Sequence, residues 1–195
     1  MAGCGGNSTL PATCCRDLNR GFQGANVSIL IYDGLRRSLV LVDRDGKQVG
    51  DWSANNRVEN SVLNKYGLAG LPNGDYVVED QHHPSYSGPR ADYKSSARVG
   101  PAGIIKLKPF VVIGASPEHK HSEHTNVGIH AGRKGVGDQS PMKGTGPDHV
   151  TRLCIRTTDA AMSMIRLTML QDPIKTLNVR GNHHVKGHPI ALHHL

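Results

Sequence analysis

Apolar residues in this chain arrive in short β-branched bursts, and several of the bursts are followed by an Asp-Gly or Asn-Gly turn. Val27-Ser28-Ile29-Leu30-Ile31-Tyr32 runs into Asp33-Gly34, and Ser38-Leu39-Val40-Leu41-Val42 returns, the pattern of a β-hairpin. Asp43-Arg44-Asp45-Gly46 turns the chain again into Lys47-Gln48-Val49-Gly50-Asp51-Trp52. Leu71-Pro72-Asn73-Gly74 opens a further run, Asp75 to Asp80. A chain punctuated this often cannot build long helices. Its 23 glycines and 11 prolines in 195 residues fit a turn-rich fold, and with aromatics at 4% the core must come from Val, Ile, Leu and Met.

Beyond the first strands, Ile104 to Ile113 and Asn126 to His130 read as strands separated by a polar segment, Ser116 to Thr125. One helix is marked. Thr157-Thr158-Asp159 supplies a cap and an acidic first turn. Ala161, Met164, Ile165, Thr168 and Met169 then fall at helical spacing, and Asp172-Pro173 stops the run. Ile174 to Val179 resumes a strand. The expectation is a mainly β domain, sandwich- or barrel-like, over residues 25–182, with one helix, a flexible arm over 1–24 and a His-rich tail over 183–195. The polar stretch from Gln81 to Gly100, with Tyr86, Arg90, Tyr93 and Lys94, reads as a long loop, either an ordinary surface loop or a cover for a groove.

A net charge of +7 favours anionic surroundings. The cations are scattered and do not interleave with aromatics, which argues against a nucleic-acid partner. No stretch approaches the ~20 apolar residues of a membrane span. The N-terminus lacks a charged start followed by an apolar run, so no export signal is expected there. Cys4, Cys14 and Cys15 crowd the N-terminal arm and read as incidental, because they lack the further ligands of a zinc site. The same holds for His119, His121 and His124, which are interrupted by a lysine, and for the tail histidines. No metal is expected.

The informative cysteine is Cys154. A free thiol is only a few per cent ionised at neutral pH, so a catalytic one needs a histidine, a cation or a helix N-terminus nearby. All three are in the sequence. His130 closes the apolar strand that begins at Asn126; Arg156 lies two residues beyond Cys154, on the same face of an extended segment; the marked helix follows. Arg156 or Arg133 is placed to bind a substrate carboxylate. Against this stands an inert thiol and a core histidine, and composition alone leaves the two readings about even.

At these residues the sequence resembles the L,D-transpeptidase (YkuD-like) catalytic domain, in particular a bacterial subgroup with G-x-H-x-G-R and T-x-G-C-I-R-T-T-D segments. They stand here as Gly128-Ile129-His130-Ala131-Gly132-Arg133 and Thr151-Arg152-Leu153-Cys154-Ile155-Arg156-Thr157-Thr158-Asp159. The likeness extends over residues 25–182, through Gly146-Pro147-Asp148-His149-Val150, Leu71 to Tyr76 and the strand pair ending at Trp52. It implies a β fold of that type and a cofactor-free acyl transfer on peptidoglycan stem peptides. Cys154 would attack the carbonyl of the third stem residue and expel D-alanine, with His130 as base. Amides around Leu153 and Cys154 would hold the oxyanion, at about 3 kcal/mol per donor. Arg156, Thr151, Arg133 and Gly128 would shape the site or hold substrate. The acyl group would pass to an amine, forming a cross-link, or to water.

The resemblance also implies a periplasmic or envelope location, reached by another export route or in a trimmed chain. A housekeeping enzyme and a secreted antibacterial effector, the latter with an immunity protein as partner, both fit. One position departs from the family. Glycine usually precedes the cysteine, and this chain has Leu153, where a Cβ restricts the backbone. A catalytically weakened peptidoglycan-binding module with the same fold is therefore the rival reading.

Overall fold

The computed structural model describes residues 27–58, 68–79, 100, 102–115, 121–131 and 153–192. Within them the chain is mainly β with a single helix. The arm over 1–24, nearly all of the 81–100 loop, and Thr151, Arg152, Gly132, Arg133 and 146–150 lie outside the described residues.

The expected hairpin forms from β1 (Ile29–Asp33) and β2 (Ser38–Val42), paired antiparallel with Ile31 opposite Val40. Asp33 makes the turn by accepting from the backbone N–H groups of Leu35 and Arg36 through Oδ1. Asp43 repeats the device toward Asp45 and Lys47, with Gly46 at φ 79°. The chain then enters β3 (Gln48–Ser53). β4 (Gly74–Val77) follows the Pro72-Asn73 turn. β10 (Thr176–Arg180) inserts between β1 and β4 and runs parallel to β1, completing a five-stranded sheet in the order β3-β2-β1-β10-β4. Leu30, Tyr32, Leu39 and Leu41 face the main core, while Ile29, Ile31 and Val40 form a smaller cluster on the other side. The alternation follows from the two-residue period of the strand.

The run from Ile104 to Ile113 divides in two. β5 (Ile104–Lys106) and β6 (Phe110–Ile113) are separated around Pro109, which cannot donate to a ladder. The polar segment expected only to separate strands supplies one itself. β7 (His121–His124) pairs antiparallel with β6, burying His124 against the Phe110 ring at 5.3 Å between centroids. Hydrogen-bond register overrides the polar composition there. The His-rich stretch after Gly181 likewise contributes β11 (His188–Ala191) to the other edge of β6. A third sheet joins β5, β8 (Gly128–His130) and β9 (Ile155–Arg156).

The helix, α1 (Asp159–Met169), begins where its sequence signals place it. Thr158 is the N-cap, its hydroxyl accepting from the Ala161 N–H at 3.0 Å. Its buried face is Ala161, Met162, Ile165 and Met169. Met164, expected on that face, is 41% exposed, because the packed stripe is rotated toward Met162. After the helix, Asp172 fastens the chain to the start of the first strand, accepting from Ser28 N at 3.0 Å and Ser28 Oγ at 2.5 Å.

Candidate active site around Cys154

β8 and β9 set the site. They pair in parallel with Ile129 opposite Ile155 and His130 opposite Arg156. Ile129 and Ile155 are fully buried in the main core, so His130 and Arg156 lie on the other side of this small sheet. Continued back by one residue, the register sets Cys154 opposite Gly128, and the Gly128 N–H does hydrogen-bond the thiol. Cys154 immediately precedes β9, and His130 closes β8 two residues beyond Gly128.

Gly128 has a packing reason to be glycine. A Cβ there would lie 2.4 Å from the Ile105 carbonyl oxygen and 2.8 Å from the Ile104 side chain. The strand is therefore pressed against β5 while its amide serves the thiol. The Gly128 N–H, expected to help hold substrate or oxyanion, is directed to the Cys154 sulfur.

The electrostatics pull in opposite directions. Cys154 is half-buried, and burial raises its thiol above the ordinary value; the Gly128 N–H and the Arg156 charge oppose that rise. His130, 7% exposed, is lowered to about 4 by burial and then by the Arg156 charge. Arg156 thus favours a thiolate and disfavours an imidazolium, and both effects require it to lie near the pair. Burial thus disfavours charge on both the thiol and the imidazole. Among the described residues His130 Nδ1 has no hydrogen-bond partner, which leaves a ring nitrogen able to take a proton. The His130 carbonyl accepts from Thr157 N at 2.9 Å, tying the histidine to the chain that leads into α1.

Leu153 occupies the left-handed region, φ 75°, which only glycine enters at no cost. The side chain is nevertheless 2% exposed and packed in the main core. Two residues absent from any motif hold this conformation. Asn56 donates its Nδ2 to the Leu153 carbonyl at 2.6 Å and to the Cys154 carbonyl at 3.1 Å. Its Oδ1 accepts from Leu71 N, and its own N–H donates to the Tyr32 hydroxyl at 3.0 Å. Asn55 pairs its backbone with Arg156 in both directions at 2.8 Å. The only trace of them in the sequence is an amide pair, Asn55-Asn56, directly after a strand.

Of the residues singled out from sequence, Cys154, His130, Arg156, Leu153 and Gly128 converge on this site, while Thr151 and Arg133 lie outside the described residues. The described residues hold no group of three or more His, Cys, Asp or Glu placed to bind a metal. His119 lies outside them, and the side chain of His121 is not described. No helix among them is long and apolar enough to cross a membrane.

No family model matches the sequence. No curated protein matches it either. Solved structures do. Bd1075 of Bdellovibrio bacteriovorus superposes with a TM-score of 0.51 at 12% identity, covering 83% of this chain and 49% of its own. An L,D-transpeptidase (Yku) from Stackebrandtia nassauensis gives 0.46 at 13% identity, over 87% of this chain and 62% of its own. The L,D-transpeptidase of Xylanimonas cellulosilytica gives 0.43 at 14%, over 81% and 62%. The chain spans between about half and three fifths of the length of these structures. At such identity the likeness concerns the fold.

Proposed function

We propose that this protein is a cysteine acyltransferase of the L,D-transpeptidase type acting on peptidoglycan stem peptides in the periplasm or envelope. The observation that supports the reading is the parallel pairing of β8 with β9, which sets His130 beside Arg156, with Cys154 immediately before β9. Cys154 Sγ attacks the carbonyl of the third stem residue while His130 takes the thiol proton. The tetrahedral oxyanion is held by amides of the Leu153-Cys154 loop, and its collapse expels D-alanine, which leaves with that proton. An amine acceptor or water then releases the acyl group. Arg156 supports the thiolate. Substrate that excludes water and donates to the sulfur would complete the ionisation that burial disfavours.

Incubation with tetrapeptide-bearing muropeptides, with D-alanine followed by mass spectrometry, tests this directly. The parent should release D-alanine and Cys154→Ala should not. A parent that releases none, yet retains wall material in a pull-down, would establish the second reading, a peptidoglycan-binding module whose chemistry has weakened. That reading is favoured by the burial that disfavours charge on both groups and by Leu153, whose backbone takes a conformation suited to glycine.

A further inference from the structure

We infer that a cavity beside the β1–β2 turn, joined to the Cys154 loop through Asn56, binds a compact oxyanion, a carboxylate or phosphate group. The cavity has a volume of about 330 Å³, and neither Cys154 nor His130 lines it. Its walls include Tyr32 and Arg37 from the first hairpin, Asn55, Asn56 and Arg57 after β3, and His184 after β10. Among the described residues that line it there is no aspartate or glutamate. Its size lies at the small end of the ~300–1,000 Å³ usual for ligand sites.

Arg57 is the clearest pointer. Arg36, Arg44 and Arg180 each meet an aspartate, at 3.0, 3.5 and 3.4 Å. Arg57, exposed at the cavity, has no carboxylate partner among the described residues. Asn55 is the second pointer. It is 5% exposed, and its Oδ1 accepts from Arg57 N at 3.0 Å, which fixes the orientation of the amide. Its Nδ2 then has no acceptor among the described residues. A buried N–H in that condition lacks the bond that buried donors almost always make, and a ligand oxygen would supply it. Arg37 also lines the cavity, a second cation on the same wall; its charge is felt at the Tyr32 hydroxyl, where the Asp33 carboxylate outside the lining acts against it.

These donors are already ordered. Asn56 is held at once by Tyr32, Leu71 and the carbonyls of Leu153 and Cys154, so the wall next to Asn55 needs no rearrangement to receive a ligand. An ordered amide donor, Asn55 Nδ2, beside Arg57 and Arg37, with no acid among the described lining residues, is the chemistry that recognises an oxyanion.

Amide NMR titration of the full chain with sodium phosphate and, separately, sodium acetate tests the site, with sodium chloride at matched ionic strength as reference. At least one oxyanion should produce saturable shifts at Asn55 and Arg57. A response to phosphate alone or to acetate alone identifies the source of the group. Arg57→Gln should weaken the binding about tenfold or more. Asn55→Asp, which keeps the acceptor to Arg57 N and replaces the orphan donor with a repelling oxygen, should abolish it while the circular dichroism melt stays that of a folded protein. The absence of saturation with both anions up to tens of millimolar overturns the inference, as does binding that neither substitution weakens.

Discussion

Leu153 sets two opposed energies at one residue. A left-handed backbone costs an L-residue about 1–2 kcal/mol. Burying a leucine side chain stabilises by about 1.5–3 kcal/mol. The burial wins, which is how a leucine persists at φ 75° beside the thiol. The ordinary rank of alanine over glycine should therefore reverse here. Leu153→Ala loses the packing and keeps the strain, whereas Leu153→Gly loses the packing and sheds the strain. Urea denaturation should show Leu153→Gly less stable than the parent but about 1 kcal/mol more stable than Leu153→Ala. An alanine variant equal to or above the glycine variant would mean the backbone there is not strained. Asn56→Ala, which orphans Leu71 N and the loop carbonyls together, should cost about 2–3 kcal/mol by the same measurement.

At the scale of elements, α1 and the strands depend on different things. The helix is only 11 residues long, too short to persist by itself, and it is held by its apolar face and its cap. Thr158→Ala removes the hydroxyl that accepts from Ala161 N and should lower stability by about 1 kcal/mol, while Thr158→Ser should restore most of the loss. Asp172 joins the far end of the helix region to the start of the sheet, and Arg44 approaches its other oxygen at 3.5 Å. Asp172→Ala leaves a buried serine hydroxyl and a backbone amide without their acceptor. The loss should exceed that of the helix cap, at about 2–4 kcal/mol in the same denaturation series.

For the molecule as a whole, pH acts through buried imidazole. His130 is lowered to about 4 and His124 is lowered as well, both by burial. Below the ordinary histidine value the unfolded chain binds protons that the folded chain refuses, so stability falls as pH is lowered from about 6.5 toward 4. The fall attributable to His130 amounts to about 3 kcal/mol across that window. Denaturation midpoints of the parent at pH 7 and pH 4.5 should differ accordingly, and His130→Gln should remove most of the difference, leaving the part that belongs to His124. A His130→Gln variant with the parent's full pH slope would show that His130 charges freely in the native state.

Local chemistry determined much of this architecture in advance. Asp33, Asp43 and the Asn73-Gly74 turn carry their own turn geometry, the β-branched runs between them have one sensible use, and Thr158 with Asp159 caps a helix whatever surrounds it. Cys154, His130 and Arg156 stood out as a candidate set through residue type together with the family resemblance, and the β8–β9 register sets His130 beside Arg156. The His121–His124 strand was not legible, since its partner β6 and the Phe110 ring confer an order that its polar sequence lacks. Nor were Asn55 and Asn56, whose importance comes from carbonyls about a hundred residues away. Only the tertiary structure could bring Gly128 to the thiol, turn the loop at Leu153 into the left-handed region and withhold charge from His130, because each of these results from burial and register between distant segments rather than from neighbours in the chain.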